Sequence, residues 1–130
     1  MTYIPTLPPR PKTKRHKYAA QKVEIDGETF DSKSEARRWS ELRLLERAGQ
    51  IRKLRRQVSF PLAIGDAPIL IRSEGYPNGR QAKYTADFVY VENEAEIIEE
   101  RKGFDTTESR LRRAVFEAQY GVRIRVTRGK

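Results

Sequence analysis

The stretch Ala82–Lys102, AKYTADFVYVENEAEIIEERK, decides the fold. It reads as two apolar strands, Ala82–Val91 (AKYTADFVYV) and Ile97–Lys102 (IIEERK), joined by a polar turn over Glu92–Ala95. Side chains alternate across a strand, so Asp87 is expected on one face with Thr85, Val89 and Val91, and Glu100 with Ile98 and Lys102. A turn centred between Asn93 and Glu94 sets Asp87 opposite Glu100 and Val89 opposite Ile98. Facing side chains have Cβ atoms roughly 4.5–5.5 Å apart, and two carboxylates at that spacing can share one divalent cation. Without a cation they repel: unit charges ~4 Å apart interact by about 4 kcal/mol at an effective dielectric of 20. One member of a metal-free pair then carries a raised pKa. Lys102, on the same face, relieves part of the repulsion. Oxygen donors with an amine alongside describe a hard site suited to magnesium or manganese. The bland alternative is a solvated hairpin face that happens to carry Asp and Glu-x-Lys. The apolar context of both strands favours a site.

Upstream, KVEIDGETF alternates apolar and polar residues about Asp26-Gly27 and predicts a short hairpin over Val23–Phe30. Ser32 followed by Glu35 has capping-box spacing, and Ala36, Trp39, Leu42, Leu45 and Ala48 recur as one helix face that Gly49 ends. Ile51–Arg56 (IRKLRR) reads as a basic connector, Gln57–Ile64 as a strand, and Gly65–Gln81 as a loop with Ile69–Ile71 extended. Downstream, Thr106 or Thr107 caps a helix through Tyr120, with Leu111, Val115 and Ala118 on its apolar face and Gly121 as the stop. Val122–Val126 is a last strand. Hairpin, helix, three strands, helix, strand predicts a mixed sheet flanked by helices, an α/β or α+β domain.

The 130 residues suit one domain. A formal charge of +9 points to a polyanionic partner, with nucleic acid ahead of a membrane surface, since no long apolar stretch is present. No cysteine is present, which removes disulfides, thiolate metal sites and a cysteine nucleophile and suits a reducing cytoplasm. The single histidine, His16, lies in the N-terminal segment, so histidine-based nuclease chemistry has no placed residue to use. Residues 1–20 hold four prolines and five Lys/Arg before Tyr18, and read as a flexible basic arm or a solubilising terminus ahead of a domain spanning 21–130.

Glu35 lies on the apolar side of the first helix and is either a third carboxylate of the metal cluster or only the capping-box partner of Ser32. Gln57 is a weaker candidate for the same cluster, an ordinary strand residue being the alternative. Arg52, Lys53, Arg55 and Arg56, then Arg110, Arg112 and Arg113, flank the acids; with Arg123, Arg125 and Arg128 they are candidates for holding a phosphate backbone without reading sequence. Five glutamates between Glu92 and Glu100 make a local acidic cluster that a solvated turn mostly explains.

Three segments in order, VEIDGETFDSKSEARRWSELRLLERAGQI, YTADFVY and IIEERKG, resemble a family of small phage and prophage proteins assigned to the PD-(D/E)XK nuclease superfamily, near the archaeal Holliday-junction resolvases. The resemblance covers roughly residues 17–127. It implies a restriction-endonuclease-like αβββαβ core and a metal-dependent phosphodiesterase, with Asp87, Glu100 and Lys102 as catalytic centre, Glu35 as helix acid and Gln57 as polar partner. It further implies branched or recombining DNA as substrate and a homodimer working with phage recombination or replication proteins. Ala86 stands where the superfamily name has proline, and Arg101 fills a position that is usually apolar. The alternatives are a non-catalytic nucleic-acid-binding protein and a nuclease subunit active only with partners.

Overall fold

The computed structural model describes residues 22–25, 28–30 and 32–129. The expected basic arm and the Asp26-Gly27 turn lie outside these residues. Strands β1 (Val23–Ile25) and β2 (Glu28–Phe30) pair antiparallel, as the alternation predicts. Helix α1 (Lys33–Arg47) begins at Ser32, whose Oγ accepts the Glu35 N–H at 3.1 Å. It stops where Ala48 leads into Gly49 at φ +80°, a conformation that glycine adopts without a Cβ penalty.

Strand β3 (Arg52–Pro61) starts at Arg52 rather than Gln57 and so absorbs the expected connector. Its basic composition gives little local strand signal; the long apolar partner strand supplies the ladder. Lys53, at φ +56°, accompanies a register shift between Arg52 and Arg55. Where a loop over Gly65–Gln81 is expected, two antiparallel ribbons form: β4 (Ala63–Ile64), the end of the expected strand, with β5 (Ala67–Pro68), then β6 (Leu70–Ser73), which takes up most of the expected extended stretch, with β7 (Tyr76–Gln81). Both are largely exposed and show no alternation to read. Gly79, at φ +98°, is required in β7, because a Cβ there would sit 2.7 Å from Leu70 Cβ. Backbone bonds Leu62 N–H to Ala82 O, Ile69 N–H to Leu62 O and Ala82 N–H to Ile69 O tie the ribbons to the domain at 2.8–3.0 Å.

Strands β8 (Lys83–Glu92) and β9 (Ala95–Lys102) form the expected hairpin. Asn93 and Glu94 both have positive φ, at 50° and 65°, the two-residue turn whose twist matches paired strands. The register runs from Phe88↔Glu99 through Val89↔Ile98 to Glu92↔Ala95, as predicted from the turn. Helix α2 (Thr107–Tyr120) is capped by Thr106 and ended by Gly121 in the left-handed region. Strand β10 is Arg125–Arg128, later than expected, because Val122–Ile124 cross from helix to sheet and bury Ile124. It runs parallel to β9, giving a mixed four-stranded sheet in the order β10-β9-β8-β3. The protein is thus a mixed α/β domain. Among the described residues, no helix is long and apolar enough to cross a membrane.

Two apolar cores lie on opposite faces of this sheet. Ala36, Trp39 and Leu42 of α1 pack with Phe30, Ile51, Phe88 and Tyr90. Phe116 of α2 packs with Leu62, Tyr84, Ala86, Val89, Ile98 and Ile124. The inward face of α2 differs in part from the expected one: Val115 packs against this core as expected, but Phe116 is the buried residue, while Leu111 is 64% exposed and Ala118 is also exposed. Contact of the Phe116 ring edge-on with Phe60 and tilted against Tyr84, with centroids 5.0 and 4.8 Å away, turns the helix toward that residue. The same rotation brings Ser109 and Arg113 over β9.

Glu99, fully buried, locks α1 to the sheet. Arg38 donates to both its oxygens at 2.7 and 2.9 Å, Tyr90 OH donates at 2.5 Å and Thr127 Oγ1 at 3.1 Å. Burial alone pulls the carboxyl upward, but the Arg38 and Tyr90 hydrogen bonds hold it below the ordinary range. Glu99→Ala leaves the half-buried Arg38 with only the exposed Glu41 and strips the partners of Tyr90 OH and Thr127 Oγ1, and is expected to cost about 3 kcal/mol. Urea unfolding checks this; a loss under about 1 kcal/mol would show that Glu99 does not lock the helix.

Candidate functional site

The β8–β9 ladder ends at Phe88↔Glu99, one residue short of Asp87 and Glu100. Instead of continuing the ladder, Asp87 Oδ2 accepts the Arg101 N–H at 2.8 Å. Its Oδ1 accepts Gln57 Nε2 at 3.3 Å, and the same nitrogen donates to Glu35 Oε1 at 2.8 Å. One amide with two protons therefore joins a helix carboxylate to a strand carboxylate. Glu35 thus contributes its N–H to the helix cap and its carboxylate to this chain.

Alternation slips at this point. Tyr84 and Ala86 pack on the α2 side together with Val89, whereas Phe88 and Tyr90 face α1. Opposite them, Val58 and Phe60 pack on the α2 side and Leu54 on the α1 side. Thr85 and Val89 therefore do not share a face, contrary to strict period-two alternation. Gln57 sits between the pairs Arg56↔Phe88 and Val58↔Ala86 with φ +53°. A left-handed backbone inside a strand is costly for a residue with a Cβ, and here it coincides with the crossover of both strands.

Along β9 alternation holds. Ile98, Glu100 and Lys102 face α2, and Glu99 between them faces α1. The buried Glu100 carboxylate accepts Tyr84 OH at 2.8 Å and Arg113 Nη1 at 2.6 Å, with Lys102 Nζ at 3.5 Å. Lys102 donates to Ser109 Oγ at 2.9 Å. Arg113 also binds Asp105 through both nitrogens, which holds the Asp105 carboxyl below its ordinary range. Burial, followed by the Glu100 charge and hydrogen bond, pushes the Tyr84 hydroxyl far above the usual phenol range.

The expected site residues therefore assemble as two adjoining halves: Glu35–Gln57–Asp87 toward α1, and Glu100–Lys102 with Arg113 and Tyr84 toward α2. Among the described residues, no three Asp, Glu, His or Cys side chains stand close enough to hold a metal ion as they are. The halves nevertheless sense each other. Burial raises the Asp87 carboxyl to about 7, with the charges of Glu35 and Glu100 adding to the rise and the bonds from Arg101 N–H and Gln57 opposing it. Carboxylate oxygens from three elements are the donor type a hard divalent cation takes, with Glu100 already paired to Arg113 and Lys102 and Glu35 lying 3.6 Å from Arg56. Asp87, Glu100 and Glu35 are the residues that would hold one.

Beside Glu100 and Lys102 opens a cleft of about 210 Å³ whose lining also includes Lys83, Tyr84, Ser109 and Arg112. Of the expected phosphate-holding residues, Arg112 reaches this cleft while pairing with Glu108. Arg113 is engaged internally, and Arg56 lies over the Phe30 ring, 3.6 Å from Glu35. Arg52 and Arg55 pair with Glu94 and Glu96 at the turn end of the hairpin; Lys53 is exposed there, and Arg110 bonds to Asp105 O and Thr107. Sequence reasoning missed Lys83, Tyr84 and Ser109, together with the role of Arg113. The spacing Ser109, Arg113, Phe116, Tyr120 reveals the last two once Phe116, not Leu111, is taken as the helix anchor.

Fold and site define a small mixed α/β protein with a buried acidic and basic cluster where two central strands part. A family model described as "Protein of unknown function (DUF1064)" matches residues 15–128, and the chain belongs to that family. Comparison with curated proteins and with solved structures gave no match.

The raised Asp87 pKa sets a pH dependence. Its fold-stabilising contribution is fully present below its ordinary value of 3.8 and is lost as pH rises toward about 7. Asp87→Asn retains an oxygen for the Arg101 N–H but carries no charge. In EDTA, the variant should gain on wild type between pH 5 and pH 8, by on the order of 1 kcal/mol in urea unfolding. A difference that stays constant with pH would mean that Asp87 is not strained by its neighbours.

Proposed function

We propose that this protein is a divalent-metal-dependent DNA endonuclease of the PD-(D/E)XK type, hydrolysing phosphodiester bonds. One observation supports the reading: Asp87, mid-way along β8 and just past the last paired position Phe88↔Glu99, adjoins Glu100-x-Lys102 at the end of antiparallel β9, with Glu35 of the preceding helix joined to Asp87 through Gln57. The order helix, three antiparallel strands, helix, parallel strand supports a restriction-endonuclease-like core. The charge of +9 supports a nucleic-acid substrate.

Asp87, Glu100 and Glu35 would hold the cation, which would supply positive charge to polarise a phosphate and acidify a water. The chain's own residues do the rest. Lys102, held by Ser109, presents its amine at the cleft and offsets charge building on the phosphate. Lys83 and Arg112 hold the neighbouring backbone on the same wall. Gln57 keeps the Asp87 and Glu35 carboxylates at a fixed spacing. Arg113, by engaging Glu100, steadies that carboxylate. Branched or recombining DNA, a homodimer, phage recombination or replication partners and a cytoplasmic setting (the host's, for a phage protein) complete the reading by resemblance.

The Arg113–Glu100 pair also favours a second reading, a nucleic-acid-binding protein in which this carboxylate is permanently satisfied. Cleavage of four-way junction, flap and linear duplex DNA with magnesium or manganese, against an EDTA control, separates the two. Wild type should cut at least one substrate; Asp87→Asn and Lys102→Ala should each lower the rate by about 10²–10³-fold or more while DNA binding persists. If wild type cuts none of them with either metal, alone or with partner proteins, the binding reading replaces the enzyme.

A further inference from the structure

The β6–β7 ribbon is absorbed by neither the sheet nor the acidic cluster. Between it and α2 runs a groove of about 360 Å³ lined by Ile71, Tyr76, Arg80, Lys83 and Arg112, with Ser73, Gln81 and Ala82 completing the wall. Lys83 and Arg112 also line the cleft beside Glu100 and Lys102, so groove and cleft adjoin. The lining has three cations and no acid, with Arg112 also pairing with Glu108 one turn back on α2. Tyr76 is 48% exposed, and the Arg80 guanidinium lies 5.1 Å from its ring centroid. Gly79 and the Leu62–Ile69–Ala82 backbone bonds fix the base of the ribbon, so the ring is presented from an anchored hairpin.

We propose that this groove holds an unpaired DNA strand, with one base stacked on Tyr76 and the flanking phosphates on Arg80, Lys83 and Arg112, leading into the cleft. The inference rests on the nuclease reading and adds to it the form of the substrate: a strand that is single at the ribbon. An aromatic platform beside backbone-tracking cations is how single strands are held irrespective of sequence, because every base has a stacking face. A paired base in a duplex keeps its faces inside the stack and offers Tyr76 only an edge. The groove lies at the small end of the roughly 300–1,000 Å³ range of ligand sites, the scale of a nucleotide. Charge argues against a second copy as occupant, since each copy carries +9 and the groove is itself cationic.

The test is fluorescence anisotropy in EDTA, where hydrolysis is stopped, with a short oligothymidylate, a blunt duplex and that duplex bearing an unpaired flap. Tyr76→Ala should weaken oligothymidylate and flap binding about tenfold and blunt-duplex binding less than about twofold, with Tyr76→Phe within about twofold of wild type throughout. Arg80→Gln combined with Lys83→Gln should reduce the slope of log affinity against log salt by about 1.4 on the oligothymidylate. An equal loss on blunt duplex, or no loss on any DNA, overturns the inference. So does a sedimentation result in which Tyr76→Ala dissolves a dimer while leaving DNA affinity intact. Failure of the cleavage assay with the flap preference intact would sink the enzyme and keep the groove; cleavage without the preference would do the reverse.

Discussion

Register in the β8–β9 hairpin constrains everything built on it. The Asn93-Glu94 turn, with both residues at positive φ, pairs Val89 with Ile98 and so turns Glu99 and Glu100 to opposite faces of the sheet. Glu99 meets Arg38 and fastens α1; Glu100 meets Arg113 and Tyr84 under α2. A slip of one residue would exchange them, breaking the Glu99 bonds to Arg38, Tyr90 and Thr127 and the Glu100 bonds to Arg113 and Tyr84. The acidic cluster near the turn thus contains one carboxylate that holds the fold and one that belongs to the site.

Where the two strands part, the chain gives up a ladder position. Asp87 takes the Arg101 N–H with its side chain, and Gln57 adopts a left-handed backbone as both strands change the face they present to the cores. The crossover sets Asp87 between the α1 and α2 sides, where it feels Glu35 and Glu100 together. Burial and like charge both work against its ionisation. A carboxylate kept in such a place is maintained by the surrounding packing against its own preference, which is the usual condition of residues that do chemistry.

Net charge is a poor guide to which cations face a ligand. Arg38 and Arg113 are engaged with buried or nearly buried acids, Arg56 lies over an aromatic ring, and Arg52 and Arg55 meet exposed turn glutamates. The basic wall next to Glu100 comes from Lys83, Lys102 and Arg112, joined by Arg80 on a ribbon with no apolar periodicity. Exposed cations at one rim, rather than their total, give the molecule a direction.

Both helices, their caps, the central hairpin and its register were legible in the residues, because each rests on local physics: period, turn geometry and side-chain oxygens that accept the first free N–H groups. Glu100 and Lys102 sharing a face followed from the same period. Tertiary structure alone decided the early start of β3, the pairing of the ribbons within 63–81, the rotation of α2 onto Phe116 and the slip at Asp87. Each of these depends on a partner distant in the chain: an apolar strand that recruits a basic one, an aromatic cluster that outweighs an exposed leucine, and a glutamine joining two acids from different elements. Local pattern carries no record of such partners, so the assignment of Glu99 to the fold and Arg113 to Glu100 emerged only from packing.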